Sequence, residues 1–118
     1  MKLRILDNSI RLRLSQKEVE QIGNGQKVLC ETQFGNNSLK YLLKTHTDSV
    51  EIQSDFEQNC IVISVNEKLA YHWANSDLVG LQTANGQTPF VLIEKDFKCL
   101  TERGEDETDL FENPNTTC

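Results

Sequence analysis

Apolar and polar residues alternate in short runs along most of the chain, and the period changes in two places. Leu3 and Ile5 alternate with Lys2 and Arg4, and Ile10, Leu12 and Leu14 alternate with Arg11 and Arg13. A period of two is that of a strand with one buried face. Ser15-Gln16-Lys17-Glu18 then has the form of a capping box, in which hydroxyl and carboxylate each satisfy a free amide at a helix start. Leu14 and Val19 are spaced as its hydrophobic staple, Val19 and Ile22 give one apolar stripe, and Gly23-Asn24-Gly25 ends the helix. Val28 to Phe34 and Leu39 to Thr45 read as two more strands around a Gly35-Asn36-Asn37 turn.

The same succession follows once more. Val50 to Ser54 and a looser turn near Glu57-Gln58-Asn59 precede Ile61, Ile63 and Val65. Asn66 is placed as an N-cap, Leu69 and Trp73 mark the buried side of a second helix, and Leu78–Thr83 and Phe90–Lys95 are the closing strands. A shift of 51 residues aligns Ile10–Lys44 with Ile61–Lys95 without gaps, and Ile10, Lys17, Val28, Thr32, Gly35 and Lys44 meet identical residues. The expected fold is therefore α+β: a tandem duplication of a ββαββ unit (residues 1–47 and 48–98) forming a curved, mainly antiparallel sheet or barrel with two short helices. Leu12, Leu14, Val19, Ile22, Val28, Ile61, Ile63, Leu69, Trp73 and Leu92 form the expected core.

At 118 residues the chain is long enough for one domain with a modest core, placed here at residues 1–100. Residues 101–118 hold six acids against Arg103 alone and read as an acidic tail, either solvated or docked through Leu110-Phe111 onto a basic surface. A net charge of −6 argues against nucleic acid as a partner, and no apolar run approaches a membrane span. With no signal-peptide pattern at its start, the chain reads as cytoplasmic. Cys30, Cys60, Cys99 and Cys118 show no metal-ligand spacing, so neither a metal nor a cofactor is expected, and Cys30 falls in strand phase as a buried thiol.

Charge changes the picture most in the first hairpin. With a two-residue loop at Asp7-Asn8, Arg4 faces Arg11 and Lys2 faces Arg13, all on the side away from Leu3, Ile5, Ile10 and Leu12. Opposed like charges need compensation: by water and salt, by Glu31, Glu51 or the acidic tail, or by a bound anion, for which arginine is well shaped. Residues 1–47 carry eight Lys/Arg and four Asp/Glu, while residues 48–100 carry three and eight. That split suits packing of the halves, a head-to-tail homodimer or a ligand. His72 reads as a surface or packing residue and His46 as a loop hydrogen-bonder; Asp96 and Cys99, near the end of the last strand, have no assigned role. The sequence carries no nucleophile elbow, HExxH, phosphate loop or dinucleotide fingerprint.

Lys2-Leu3-Arg4-Ile5 through Ser9–Ser15, Glu94-Lys95-Asp96-Phe97-Lys98-Cys99-Leu100, and Gly104–Glu107 leading to Phe111-Glu112-Asn113-Pro114 resemble a family of short bacterial proteins of unknown function. The repeated unit also resembles, at fold level, the triphosphate tunnel enzymes, whose barrel holds polyphosphate among basic residues and a metal among glutamates. Their paired-glutamate-and-lysine strand has no counterpart here, where the opening reads Lys2-Leu3-Arg4-Ile5. The reading that results is a non-catalytic cytosolic protein that binds an anionic ligand or a protein partner through its basic N-terminal half. Arg4, Arg11, Arg13, Lys40 and Lys44 are its candidate site residues. The alternative is a divergent metal-dependent phosphate-ester hydrolase with Arg11 and Arg13 as phosphate clamps.

Overall fold

A computed structural model describes residues 1–97. The acidic tail at 101–118, with Cys99 and Cys118, lies outside the described residues. The elements are β1 (Lys2–Leu6), β2 (Ser9–Leu14), α1 (Gln16–Gly23), β3 (Val28–Phe34), β4 (Asn37–His46), β5 (Ile52–Glu57), β6 (Cys60–Asn66), α2 (Glu67–Ala74), β7 (Gly80–Gln82) and β8 (Phe90–Lys95). Both helix starts form as their sequences dictate. The Ser15 side chain accepts from the Glu18 amide while the Glu18 carboxylate accepts from the Ser15 amide, and Asn66 accepts from the amides of Lys68 and Leu69. The turn before β6 is tighter than its sequence suggests: Gln58 and Asn59 both take positive φ, at 51° and 60°, joining Glu57 directly to Cys60.

The eight strands form two four-stranded mixed sheets, ordered β1-β2-β8-β7 and β3-β4-β6-β5. Neither the single curved sheet nor the barrel forms. Each hairpin pairs internally in antiparallel fashion, and the inner strands then join across the chain in parallel, β2 with β8 and β4 with β6. The first hairpin of one half thus shares a sheet with the second hairpin of the other. Local patterning fixes the hairpins but carries no information about such distant parallel partners.

The pairing registers also correct the ungapped self-match. Ile10 pairs with Val91, and Ile61 pairs with Tyr41, so Ile10 and Ile61 occupy like positions 51 residues apart. The helices keep that spacing, Gln16–Gly23 against Glu67–Ala74. Beyond them it fails. Leu43 and Ile93 are equivalent at 50 residues apart, and Val28 and Leu81 at 53. Val28/Val79, Thr32/Thr83, Gly35/Gly86 and Lys44/Lys95 are therefore not structural counterparts. The cause is unequal connections: Gly35-Asn36 turns β3 tightly into β4, whereas residues 83–89 link β7 to β8.

One core serves both sheets and both helices. Leu12, Leu14, Ile22, Leu43, Ile52, Ile63, Trp73, Val91 and Ile93 are almost fully buried. Leu92 and Leu69 are only half-buried. In β8 the inward phase belongs to Val91 and Ile93, so Leu92 turns to the outer face, and in α2 Ala70 sits where Leu69 was expected. Trp73 is fully buried, its indole N–H donating to the Val79 carbonyl at 3.0 Å, which meets the polar demand of a buried tryptophan. The helices meet where Gly23 faces Ala74 so closely that a Cβ on Gly23 would lie 2.5 Å from that of Ala74. Across the sheet boundary, the Tyr41 hydroxyl donates to the Met1 carbonyl (3.0 Å), and the Gln87 amide donates to the Ile52 carbonyl (2.8 Å).

Candidate anion-binding face

Sheet β1-β2-β8-β7 turns its apolar side chains to the core, so period-two alternation places the remainder on one outer face. The registers order that face in rows across the strands. Lys2, Arg13 and Glu94 form one row; Arg4, Arg11, Leu92 and Gln82 form the next; Leu6, Ser9 and Phe90 form the third. The like-charge pairs expected in the first hairpin are present, Arg4 opposite Arg11 and Lys2 opposite Arg13.

Compensation comes from carboxylates of β8 and the residues just after it. Glu94 Oε1 lies 2.9 Å from Arg13 Nε and 3.4 Å from Arg11 Nε, and Asp96 Oδ2 lies 2.8 Å from Lys2 Nζ. Among the described residues neither Glu31 nor Glu51 reaches the arginines; Glu31 instead faces Lys40 at 3.9 Å. Sequence reasoning missed Glu94 because only the parallel pairing of β8 with β2 brings it beside Arg13. A signal was present in Val91 and Ile93: taken as the inward phase, they send Leu92 and Glu94 outward.

The compensation is incomplete. Four cations meet two carboxylates, Glu94 divides itself between two guanidinium groups, and Arg4 has no ion-pair partner among the described residues. Arg4 and Arg11 line an open cleft of about 360 Å³ with Leu6, Ser9, Ile10, Phe90 and Leu92. Leu6 is 65% exposed and Phe90 39%, so apolar surface lies directly beside the guanidinium pair. Such a cleft can bind an anionic group in two-pronged fashion and cover an apolar body attached to it.

Lys40 and Lys44 are not part of this arrangement. Both lie on β4 in the other sheet, Lys40 opposite Glu31 and Lys44 opposite Ser64. The five candidate residues thus divide into an arginine group and two separate lysines, because the first half of the chain contributes hairpins to different sheets.

The family model described as "Family of unknown function (DUF7009)" matches residues 1–115. The chain belongs to that family. No curated protein and no solved structure matches it. DUF7009 membership accords with the unknown-function family that the sequence resembles; neither the comparisons nor the two open sheets supply a link to triphosphate tunnel enzymes.

Elsewhere in this DUF7009 chain several titratable groups have structural partners. His46 uses both ring nitrogens, Nδ1 with the Ser64 hydroxyl at 3.0 Å and Nε2 with the Val50 carbonyl, and ties β4 to the loop before β5. His72 is exposed on α2. Cys30 is half-buried rather than buried, and its thiol points to the Met1 carbonyl at 3.9 Å. The Met1 ammonium forms an ion pair with Glu18. Burial alone would lower the pKa of that ammonium, but the hydrogen bond and charge of Glu18 outweigh it and raise it above 8.0. Burial likewise acts to raise the Glu18 pKa, and the ammonium and the Ser15 amide reverse this, holding it below 4.5. Among the described residues no three His, Cys, Asp or Glu side chains gather as a metal set, and no helix is long and apolar enough to cross a membrane.

Proposed function

We propose that this protein is a non-catalytic, cytosolic binding protein whose ligand is an anion carrying an apolar group, held on the outer face of sheet β1-β2-β8-β7. The observation that carries this reading is Arg4. It stands opposite Arg11, lacks a carboxylate partner among the described residues, and adjoins exposed Leu6 and Phe90. Opposed guanidinium groups repel, so an anion placed between them relieves repulsion while gaining charge-assisted hydrogen bonds. The face extends the basic N-terminal half by one strand, since β8 supplies Phe90 and Leu92.

We further infer that the two ββαββ halves descend from one duplicated unit. The halves share an element order and reciprocal pairing, and Gly23 and Ala74, equivalent positions at 51 residues apart, meet each other at the helix contact. Two copies related by a twofold axis bring equivalent residues together on that axis.

Phenyl phosphate and inorganic phosphate, each with and without magnesium or manganese, are suitable probes in a thermal-shift assay. A ligand selective for the folded state raises the apparent melting temperature. Phenyl phosphate should stabilise more than inorganic phosphate, without a metal requirement and without release of phenol. Metal-dependent hydrolysis would replace this reading with the phosphate-ester hydrolase, and no shift with any anion would remove it.

A further inference from the structure

We propose that residues 107–112 of this same chain, Glu-Thr-Asp-Leu-Phe-Glu, occupy the Arg4–Arg11 cleft in the resting protein and compete with its ligand. The proposal rests on the binding reading above and names the occupant that the cleft meets first. Three observations favour this segment over a second copy or another protein.

The first is charge. The outer face carries Lys2, Arg4, Arg11 and Arg13 against Glu94 and Asp96, an excess of two cations. Residues 98–118 carry six acids against Lys98 and Arg103. The second is composition. The cleft combines two arginines with Leu6, Ile10, Phe90 and Leu92, and residues 109–112 place the apolar pair Leu110-Phe111 between Asp109 and Glu112. Acid–apolar–apolar–acid matches a surface on which guanidinium groups border an apolar end. The other adjoining apolar pair after residue 97, Cys99-Leu100, has Lys98 and Thr101 rather than acids on its flanks.

The third is reach. Strand β8 lies inside the sheet that carries the cleft, and Asp96, just beyond it, pairs with Lys2 at the far end of the same face. From there to Phe90 is roughly 20 Å along the strand at about 3.3 Å per residue. Eleven residues lie between Phe97 and Asp109. Fully extended, a chain of that length reaches at most roughly 40 Å at about 3.3–3.6 Å per residue, which covers this distance. The tether is thus long enough to return, and short enough to keep the segment near the cleft. Short tethers supply an effective concentration on the order of 1 mM, so a segment with an intrinsic dissociation constant on the order of 0.1 mM weakens a competing ligand about tenfold.

The test uses the full chain. Isotope-labelled protein is compared with a variant carrying Asp109→Asn, Leu110→Ala, Phe111→Ala and Glu112→Gln, by amide spectra and by titration with phenyl phosphate. The expected result has two parts. Amide signals of Leu6, Arg11 and Leu92 move on substitution, while those of Leu42 and Val62 on the other sheet stay in place. The variant also binds phenyl phosphate about tenfold more tightly, and in both proteins Arg4→Gln weakens that binding. Changes confined to the neighbourhood of the substituted residues would overturn the proposal. So would Leu6 and Arg11 signals that depend on protein concentration, since that assigns the segment to a second copy. Equal phenyl phosphate affinity in both proteins, lost on Arg4→Gln, refutes the internal occupant yet leaves the binding face standing. Absence of phenyl phosphate binding in both removes the binding face, and the amide comparison still decides whether the segment docks.

Discussion

The two sheets use one strand arrangement and present opposite chemistry to solvent. At inward positions their counterparts agree: Leu12 with Ile63, Leu14 with Val65, and Ile93 with Leu43, all buried. At outward positions they do not. Where sheet β1-β2-β8-β7 has Arg4, Leu6 and Glu94, sheet β3-β4-β6-β5 has Asp55, Glu57 and Lys44; Phe90 corresponds to Lys40. The second outer face holds Lys40 and Lys44 with Glu31, Asp55 and Glu57, and Lys44 stands opposite buried Ser64 rather than beside a carboxylate. Packing constrains the inner face alike in both sheets, because every inward residue must fill one shared core. The outer faces carry no such constraint. The second face also exposes apolar surface at Leu29, in the row of Asp55, but only the first sets exposed apolar groups beside paired arginines, and the proposed binding rests on that combination.

The most damaging change to the common core should be Trp73→Ala. The ring is fully buried and its indole bonds Val79, so its loss should cost about 3–5 kcal/mol in urea unfolding. A cost under about 1 kcal/mol would show that the two sheets do not depend on a single core. Gly23→Ala comes next. Alanine ordinarily favours a helix by about 1 kcal/mol over glycine. Here the new methyl meets Ala74 at 2.5 Å, and crowding of this kind typically costs about 1–3 kcal/mol. The substitution should therefore destabilise, and Ala74→Gly should restore much of the loss. If Gly23→Ala stabilises the protein, the helix contact is looser than the structure has it.

Most of the elements could be read from local pattern, and most of their assembly could not. The capping box at Ser15 and Glu18, the Asn66 cap and the turn at Asp7-Asn8 are contained within a few residues, so their physics is visible in sequence. The parallel joins of β2 with β8 and β4 with β6 depend on how the two halves interlock. They decided three matters at once: two sheets rather than a barrel, Glu94 rather than Glu31 beside the arginines, and Lys40 and Lys44 on the other sheet. Arg4, Arg11 and Arg13 were legible as a group because one hairpin holds them all.

The edge of the first sheet offers a smaller, pH-dependent test. Glu18 has a lowered pKa, so its contribution is present above 4.5 and is lost as pH falls through its folded value. The Met1 ammonium has a raised pKa, so its contribution is present below 8.0 and is lost as pH rises through its folded value. Glu18→Gln should lower the urea midpoint most between these limits, and the difference from the unsubstituted protein should shrink toward both ends. The partly exposed pair and the retained amide cap limit the effect to about 1 kcal/mol. A difference that is flat with pH would place the role of Glu18 in the helix cap alone.

The smallest expected effect on stability belongs to the residue that matters most to the proposed function. Arg4→Gln removes an exposed charge from a repelling pair and should change unfolding free energy by less than about 0.5 kcal/mol. Titration calorimetry with phenyl phosphate, comparing the unsubstituted protein with Arg4→Gln and with Asp55→Asn at the equivalent position of the other sheet, tests the central claim most directly. The account predicts that Arg4→Gln weakens binding at least about tenfold, the loss of a charge-assisted contact, and that Asp55→Asn leaves it unchanged. Equal affinity in all three proteins, or weakening by Asp55→Asn alone, would contradict it.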